Sequence, residues 1–188
     1  MSAAEKFIGK ALPYIRLTAA DRALIAECLT PMQLKKGAYY VKSGAINPGV
    51  SYVETGLLRS YFFDQSGKEI TAGFIQEENL CTDLISFQSG ESSQRNIEAL
   101  TDCQLHLIDR EALLTLREKI PDWTYFEQHY IANMLLRKVD FQRKSANHSA
   151  SAAYEAFAEM YPQANRYAPR YQIASFLGIS PYTLSRLK

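Results

Sequence analysis

Between residues 32 and 108 the chain stops reading as helix and reads as a succession of short strands. The runs "QLKKGAYYV", "VSYVETGLLRSYFF", "KEITAGFI" and "QLHLI" are rich in β-branched and aromatic residues. Such side chains pack well on a pleated surface. Turn formers separate the runs: Gly37, Asn47-Pro48-Gly49, Thr55-Gly56 and Asp64 to Gly67. "YFFDQSGKEITAGF" has the form of a hairpin. Many short strands at regular spacing predict an all-β barrel or sandwich over this stretch.

Helical patterns flank it. Residues 17–29, "LTAADRALIAECL", carry a cap at Thr18, Asp21 three positions later, and an apolar stripe of Leu24, Ile25, Cys28 and Leu29. Pro31 ends this helix. On the other side Asp109 caps "DREALLTLREKI", and Pro121 opens a long helix that runs to about Ser149. Trp123, Phe126, Tyr130 and Met134 share one face of it, and Ala132, Leu135, Val139 and Ala146 another. A helix with two apolar faces can pack on its own domain with one and on a second copy with the other. "SASAAYEAFAEMYP" follows as a short helix with Tyr154, Phe157 and Tyr161 inward, then "QANRYAP" as a loop.

The last segment, "RYQIASFLGISPYTLSRLK", meets the requirements of a helix-turn-helix position by position. Ile173, Leu177, Ile179, Leu184 and Leu187 supply the apolar crossing, and Ala174 is the small residue at the contact. Gly178 permits a turn with positive φ. Ser180 caps the second helix and Pro181 is its first residue. That leaves Tyr182, Thr183, Ser185 and Arg186 free to face a major groove, where an arginine can bond both acceptors of a guanine edge. Ser180 and the backbone N–H groups at this helix start can hold a phosphate. Arg166, Arg170 and Lys188 read as phosphate contacts, which give affinity rather than sequence choice.

The net charge of +1 hides an asymmetry. Residues 1–136 hold 13 Lys/Arg and 17 Asp/Glu, whereas residues 137–188 hold 8 Lys/Arg and 3 Asp/Glu. An acidic body with a basic tail suits a protein of which one part binds an anionic polymer. The three cysteines, Cys28, Cys81 and Cys103, are widely spaced and form no CxxC pair. They read as packed free thiols rather than metal ligands. His106, His129 and His148 are scattered. No nucleophile–base pair, metal-ligand cluster or Gly-rich phosphate loop suggests an enzyme. The start lacks a signal-peptide core and no apolar run is long enough to cross a membrane, so the expected location is cytoplasmic.

An N-terminal helix, a β-roll, a long helix after "REKIPDW" and a C-terminal helix-turn-helix together resemble the cyclic-AMP receptor protein / fumarate–nitrate regulator (Crp/Fnr) family of bacterial transcription regulators. The resemblance spans nearly the whole chain and rests on "VETGLLRSYFFDQSGKEITAGF", "DLISFQSGESSQRNIEAL" and "IASFLGISPYTLSRLK". It implies an α+β chain in three parts. Residues 1–120 would be a cyclic-nucleotide-binding-like β-roll (a double-stranded β-helix), 121–149 a long dimerisation helix, and 150–188 a winged-helix-like helix-turn-helix domain. The implied function is transcription regulation by a homodimer on double-stranded DNA, with RNA polymerase as a further partner. A small-ligand-binding module acting through protein contacts is the alternative.

The resemblance also implies an effector site. In the family's phosphate cassette a Gly-Glu pair holds the ribose hydroxyl and an Arg-Ser pair holds the cyclic phosphate. Here Thr82-Asp83 stands at the first pair and Ser93-Gln94 at the second, with Arg95 two residues late. The expected effector residues are Asp83, Leu84, Gln94 and Arg95. A small-molecule or nucleotide effector would be held otherwise than cyclic AMP is, the alternative being a surface arginine and a satisfied turn aspartate.

Overall fold

In the computed structural model, residues 2–146 and 149–187 are described. His148, Lys188 and the Ala146 side chain lie outside them. Two helices open the chain, α1 (Ala3–Ala11) and α2 (Ala19–Glu27). Both start in a capping box, Ser2 with Glu5 and Thr18 with Asp21. Strands β1 (Thr30–Leu34), β2 (Tyr39–Val41), β3 (Gly49–Thr55), β4 (Leu58–Phe63), β5 (Glu69–Ile75) and β6 (Leu80–Cys81) follow. A short helix α3 (Leu84–Ser89) interrupts before β7 (Asn96–Ala99) and β8 (Cys103–Asp109). The rest is helical: α4 (Arg110–Lys119), α5 (Trp123–Ala146), α6 (Ala150–Met160), α7 (Pro162–Tyr167), α8 (Arg170–Leu177) and α9 (Pro181–Ser185).

The strands form two antiparallel four-stranded sheets, ordered β1-β8-β3-β6 and β2-β7-β4-β5. Their facing sides enclose Val41, Val53, Leu58, Cys81, Ile97 and Leu105, the interior of a roll. The expected hairpin is β4–β5, turning at Asp64–Gly67, where Asp64 accepts from the Ser66 and Lys68 N–H groups. On the outside of the first sheet, α1, α2, α4 and the start of α5 bury Phe7, Ile25, Tyr52, Leu116, Trp123 and Phe126. The Trp123 indole N–H donates to Glu127, which also pairs with Arg117 at 2.8 Å, fixing α5 against α4.

The other sheet carries the C-terminal helices. Leu57, Phe74 and Leu100 of the roll share one core with Phe157, Tyr161, Ile173, Ala174 and Leu184. Phe74 is its centre, with ring centroids of Phe157, Tyr161 and Phe176 at 5.7, 5.9 and 5.8 Å. Polar contacts reinforce the junction. The Thr71 N–H donates to Ser175 Oγ at 3.0 Å, and Gln76 Oε1 accepts from the Gln163 N–H at 2.8 Å. The Glu77 N–H in turn donates to Gln163 Oε1.

Two expectations need correction, and one helix was not foreseen. The long helix starts at Trp123 rather than Pro121, because Asp122 takes φ +63°, a left-handed conformation that no helix interior tolerates. "QANRYAP" is not a loop: Pro162 stands in its first turn and residues 162–167 form α7, held by Gln163 against Gln76. And α1 is a further helix, signalled by the Ser2–Glu5 box. Among the described residues no helix is long and apolar enough to cross a membrane.

The shared core predicts a large effect at its centre. Phe74→Ala is expected to lower stability by about 3–5 kcal/mol, read as a loss in urea midpoint. Phe63→Ala, on the same hairpin but 57% exposed, should change it by less than about 0.5 kcal/mol.

Candidate functional site

Two regions carry the functional candidates. The first is the cassette around α3. Asp83 is the N-cap residue of α3 and is buried, yet its carboxylate caps nothing. Instead Ser93 Oγ donates to Asp83 Oδ2 at 2.5 Å. Ser93 is itself pinned: its hydroxyl accepts from the Arg95 N–H, its N–H donates to Ala45 O, and its carbonyl accepts from the Gly44 N–H. Asn47, also buried, ties the other side. Its Oδ1 accepts from the Asp83 N–H at 3.1 Å, and its Nδ2 donates to Gly49 O at 2.7 Å and Thr82 Oγ1 at 3.0 Å. Tyr40 Oη and Thr82 Oγ1 donate to the same Gly49 carbonyl. A Cβ at Gly49 would stand 2.3 Å from Ile108 O, so this hub admits only glycine.

The cassette therefore closes on itself. Ser93 stands where the phosphate-holding arginine was expected, and its one proton has Asp83 Oδ2 at 2.5 Å and the Arg95 carbonyl at 2.8 Å as acceptors. Asp83 forms no ion pair among the described residues. Leu84 is half-buried at the start of α3, and Gln94 is exposed. Arg95 is half-buried, and its backbone bonds the same Ser93 hydroxyl that reaches Asp83. Lys138 of α5 is solvent-accessible overall, yet partial desolvation, with the Arg95 guanidinium second, holds its ammonium below the usual lysine range. Two surface clefts, of about 410 and 260 Å³, lie along α4, and neither is lined by Asp83, Gln94 or Arg95.

The second region is α8–α9. Gly178 takes φ +67°, and its N–H closes the last turn of α8 on Ala174 O and Ser175 O. Ser180 caps α9 by accepting from the Thr183 N–H at 2.9 Å. Leu184 is fully buried, and Thr183 spends its hydroxyl on Ser180. Tyr182, Ser185 and Arg186 are exposed on one helix face at i, i+3 and i+4. Arg186 stacks on the Tyr182 ring at 4.6 Å. Pro181 is exposed at the tip, as is Arg166, stacked on Tyr167. Arg170 is already engaged, donating to Tyr154 Oη and Leu184 O. Lys188 lies outside the described residues.

The remaining chemistry is structural. Burial pushes the Cys81 and Cys103 thiols up, away from reactivity. His106 pairs with Glu54 at 2.8 Å. Among the described residues no group of His, Cys, Asp or Glu is arranged to hold a metal.

Residues 31–119 match the cyclic nucleotide-binding domain family. No curated protein sequence matches the chain. Among solved structures, a protein described as a transcriptional regulator of the Crp/Fnr family from Eubacterium rectale superposes with a TM-score of 0.68 at 20% identity, covering 90% of this chain and 81% of that one. FixK2 from Bradyrhizobium japonicum gives 0.67 at 20% identity, over 84% and 81%. The c-di-GMP-responsive global regulator CLP of Xanthomonas campestris gives 0.67 at 15%, over 90% and 89%. The chain has the fold of the Crp/Fnr regulators. Within that Crp/Fnr fold, the roll's cassette departs from the expected phosphate-binding pattern while the helix-turn-helix keeps its turn and cap.

The internal closure is measurable. Ser93→Ala should cost about 1–3 kcal/mol, because it strands a buried carboxylate. The double variant with Asp83→Asn should cost less than the sum of the two singles, the shortfall reporting their coupling in a urea-unfolding cycle.

Proposed function

We propose that this protein is a Crp/Fnr-type transcription regulator that binds double-stranded DNA as a cytoplasmic homodimer and does not hold cyclic AMP in the usual way. The observation that carries this reading is the exposed Tyr182, Ser185 and Arg186 face on a capped helix that follows a glycine turn. Residues 1–120 then act as the sensor roll, 121–149 as the dimer helix and 150–188 as the reader. Arg186 is the base-reading candidate and Arg166 a phosphate contact. Ser180 and Thr183 shape the helix start. The concentration of positive charge after residue 136 supplies the electrostatic attraction that the net charge conceals.

Dimerisation follows from α5. Its first turns bury Trp123 and Phe126 in the core on the outside of the first sheet, while Met134, Leu135, Leu136 and Val139 are 40, 50, 64 and 59% exposed. A second copy packing along this stretch would cover them, and would set two readers about one helical turn of DNA apart. Any effector would be of another kind than cyclic AMP, reached through Gln94 and Arg95 rather than Asp83. The neighbour CLP, responsive to c-di-GMP, supports the idea that the fold admits other effectors.

The test is selection of a preferred site from random duplexes, followed by titration at several salt concentrations. Affinity should fall steeply with salt, and the preferred site should be favoured by about 10³ or more over random DNA. Millimolar cyclic AMP should change neither value. Arg186→Ala should weaken the preferred site by about 1–3 kcal/mol and random DNA much less; equal loss on both assigns Arg186 to phosphates. Absence of any sequence preference would overturn the reading.

The dimer is tested separately. Leu136→Glu, at an exposed position that costs the single chain little, should convert the species seen by sedimentation to a monomer. Its affinity for a two-fold site should fall by about tenfold or more.

A further inference from the structure

The second helix of the pair, α9, is described over Pro181–Ser185. Its start is fixed by the Ser180 cap and its middle by the buried Leu184. Its end is fixed by Arg170. That guanidinium donates through Nη2 to Leu184 O at 2.9 Å and through Nη1 to Tyr154 Oη at 2.8 Å, and it lies 5.1 Å from the centre of the Tyr154 ring. The Tyr154 hydroxyl passes its own proton on to Asn165 Oδ1 at 2.8 Å. One chain of hydrogen bonds thus links α7, α6, α8 and the last turn of α9. A cation at the carbonyl end of a helix also complements its dipole.

We propose that Arg170 is a positioning residue for base reading: it clamps the C-terminal end of α9 and thereby aims Tyr182, Ser185 and Arg186, rather than contacting phosphate itself. This rests on the reading of α8–α9 as a DNA reader. Two of the five guanidinium N–H donors are used within the chain, one on each Nη, and two bonds in a fixed plane determine an angle that one flexible ammonium cannot. A phosphate contact would need only charge, so lysine would serve as well; a clamp needs the fork.

The experiment compares full-length wild type, Arg170→Gln and Arg170→Lys in two measurements. Amide hydrogen exchange on the DNA-free protein reads the clamp directly. Exchange at Leu184 and Leu187 should accelerate by about tenfold or more in both variants, with the roll unchanged; unchanged exchange overturns the proposal. DNA titration reads its consequence. Both variants should lose preference for the selected site by about tenfold, with the salt slope of the wild type retained. A slope shallower by about one in Arg170→Gln, restored by Arg170→Lys, would make Arg170 a phosphate contact and overturn the proposal. If the wild type shows no DNA binding, the DNA reading fails on that result, while the exchange measurement still decides the clamp.

Discussion

The arrangement of the whole molecule depends on one shared core, where Phe74 of the roll meets Phe157, Tyr161 and Phe176 of the C-terminal helices. The C-terminal helices are short, and their largest apolar side chains point at the roll. Burying them against β5 supplies much of what they need to stay folded. The same contact covers a charge. Arg59 lies opposite Phe74 in the β4–β5 register, so the two share a face. Arg59 is 2% exposed and survives there because Glu69 pairs with it at 2.6 Å and Thr71 Oγ1 accepts two of its N–H groups. Removing one partner would strand a buried cation, which is far costlier than the pair is worth. The face on which the helices rest therefore has little freedom to rearrange.

The two candidate regions were not equally legible in the sequence. The helix-turn-helix is local. Its turn glycine, cap and apolar spacing lie within 19 residues, 170–188, and each requirement is tied to a residue type. The strands from 32 to 108 showed through alternation and turn formers, and β4–β5 through its hairpin turn. The two-residue β6 is too short to carry a period. What the sequence could not show are bonds between distant residues. Thr71 reaches Ser175 and Gln76 reaches Gln163 across about a hundred positions, and neither pair has a pattern to read.

Arg170 shows the same limit at a single residue. A basic residue opening a helix near a DNA-reading turn suggests phosphate, and nothing local argues otherwise. Its partners, Tyr154 and the Leu184 carbonyl, become neighbours only when α6 folds back over α8 and α9. Asp83 is the converse. Sequence alone left it either an effector ligand or a satisfied aspartate; in the fold the Ser93 hydroxyl stands 2.5 Å from its carboxylate, a neighbour no local pattern announces.

The closed cassette and the pinned reader bear on each other. For a ligand to take the place of Ser93 on the Asp83 carboxylate, the Ser93 bond must open, worth about 1 kcal/mol net and more where a buried charge is left bare. A ligand offering only phosphate oxygens would find Ser93 and Gln94 where the resemblance led one to expect an arginine and a serine. The C-terminal helices, for their part, are held to the roll by an aromatic core. If DNA is bound as proposed, the resting arrangement of roll and reader is then already a stable one. Control would lie less in a nucleotide filling the cassette than in whatever changes the packing of Phe74 or brings two copies together along α5. A population shift needs a ligand with several kcal/mol of preference between states.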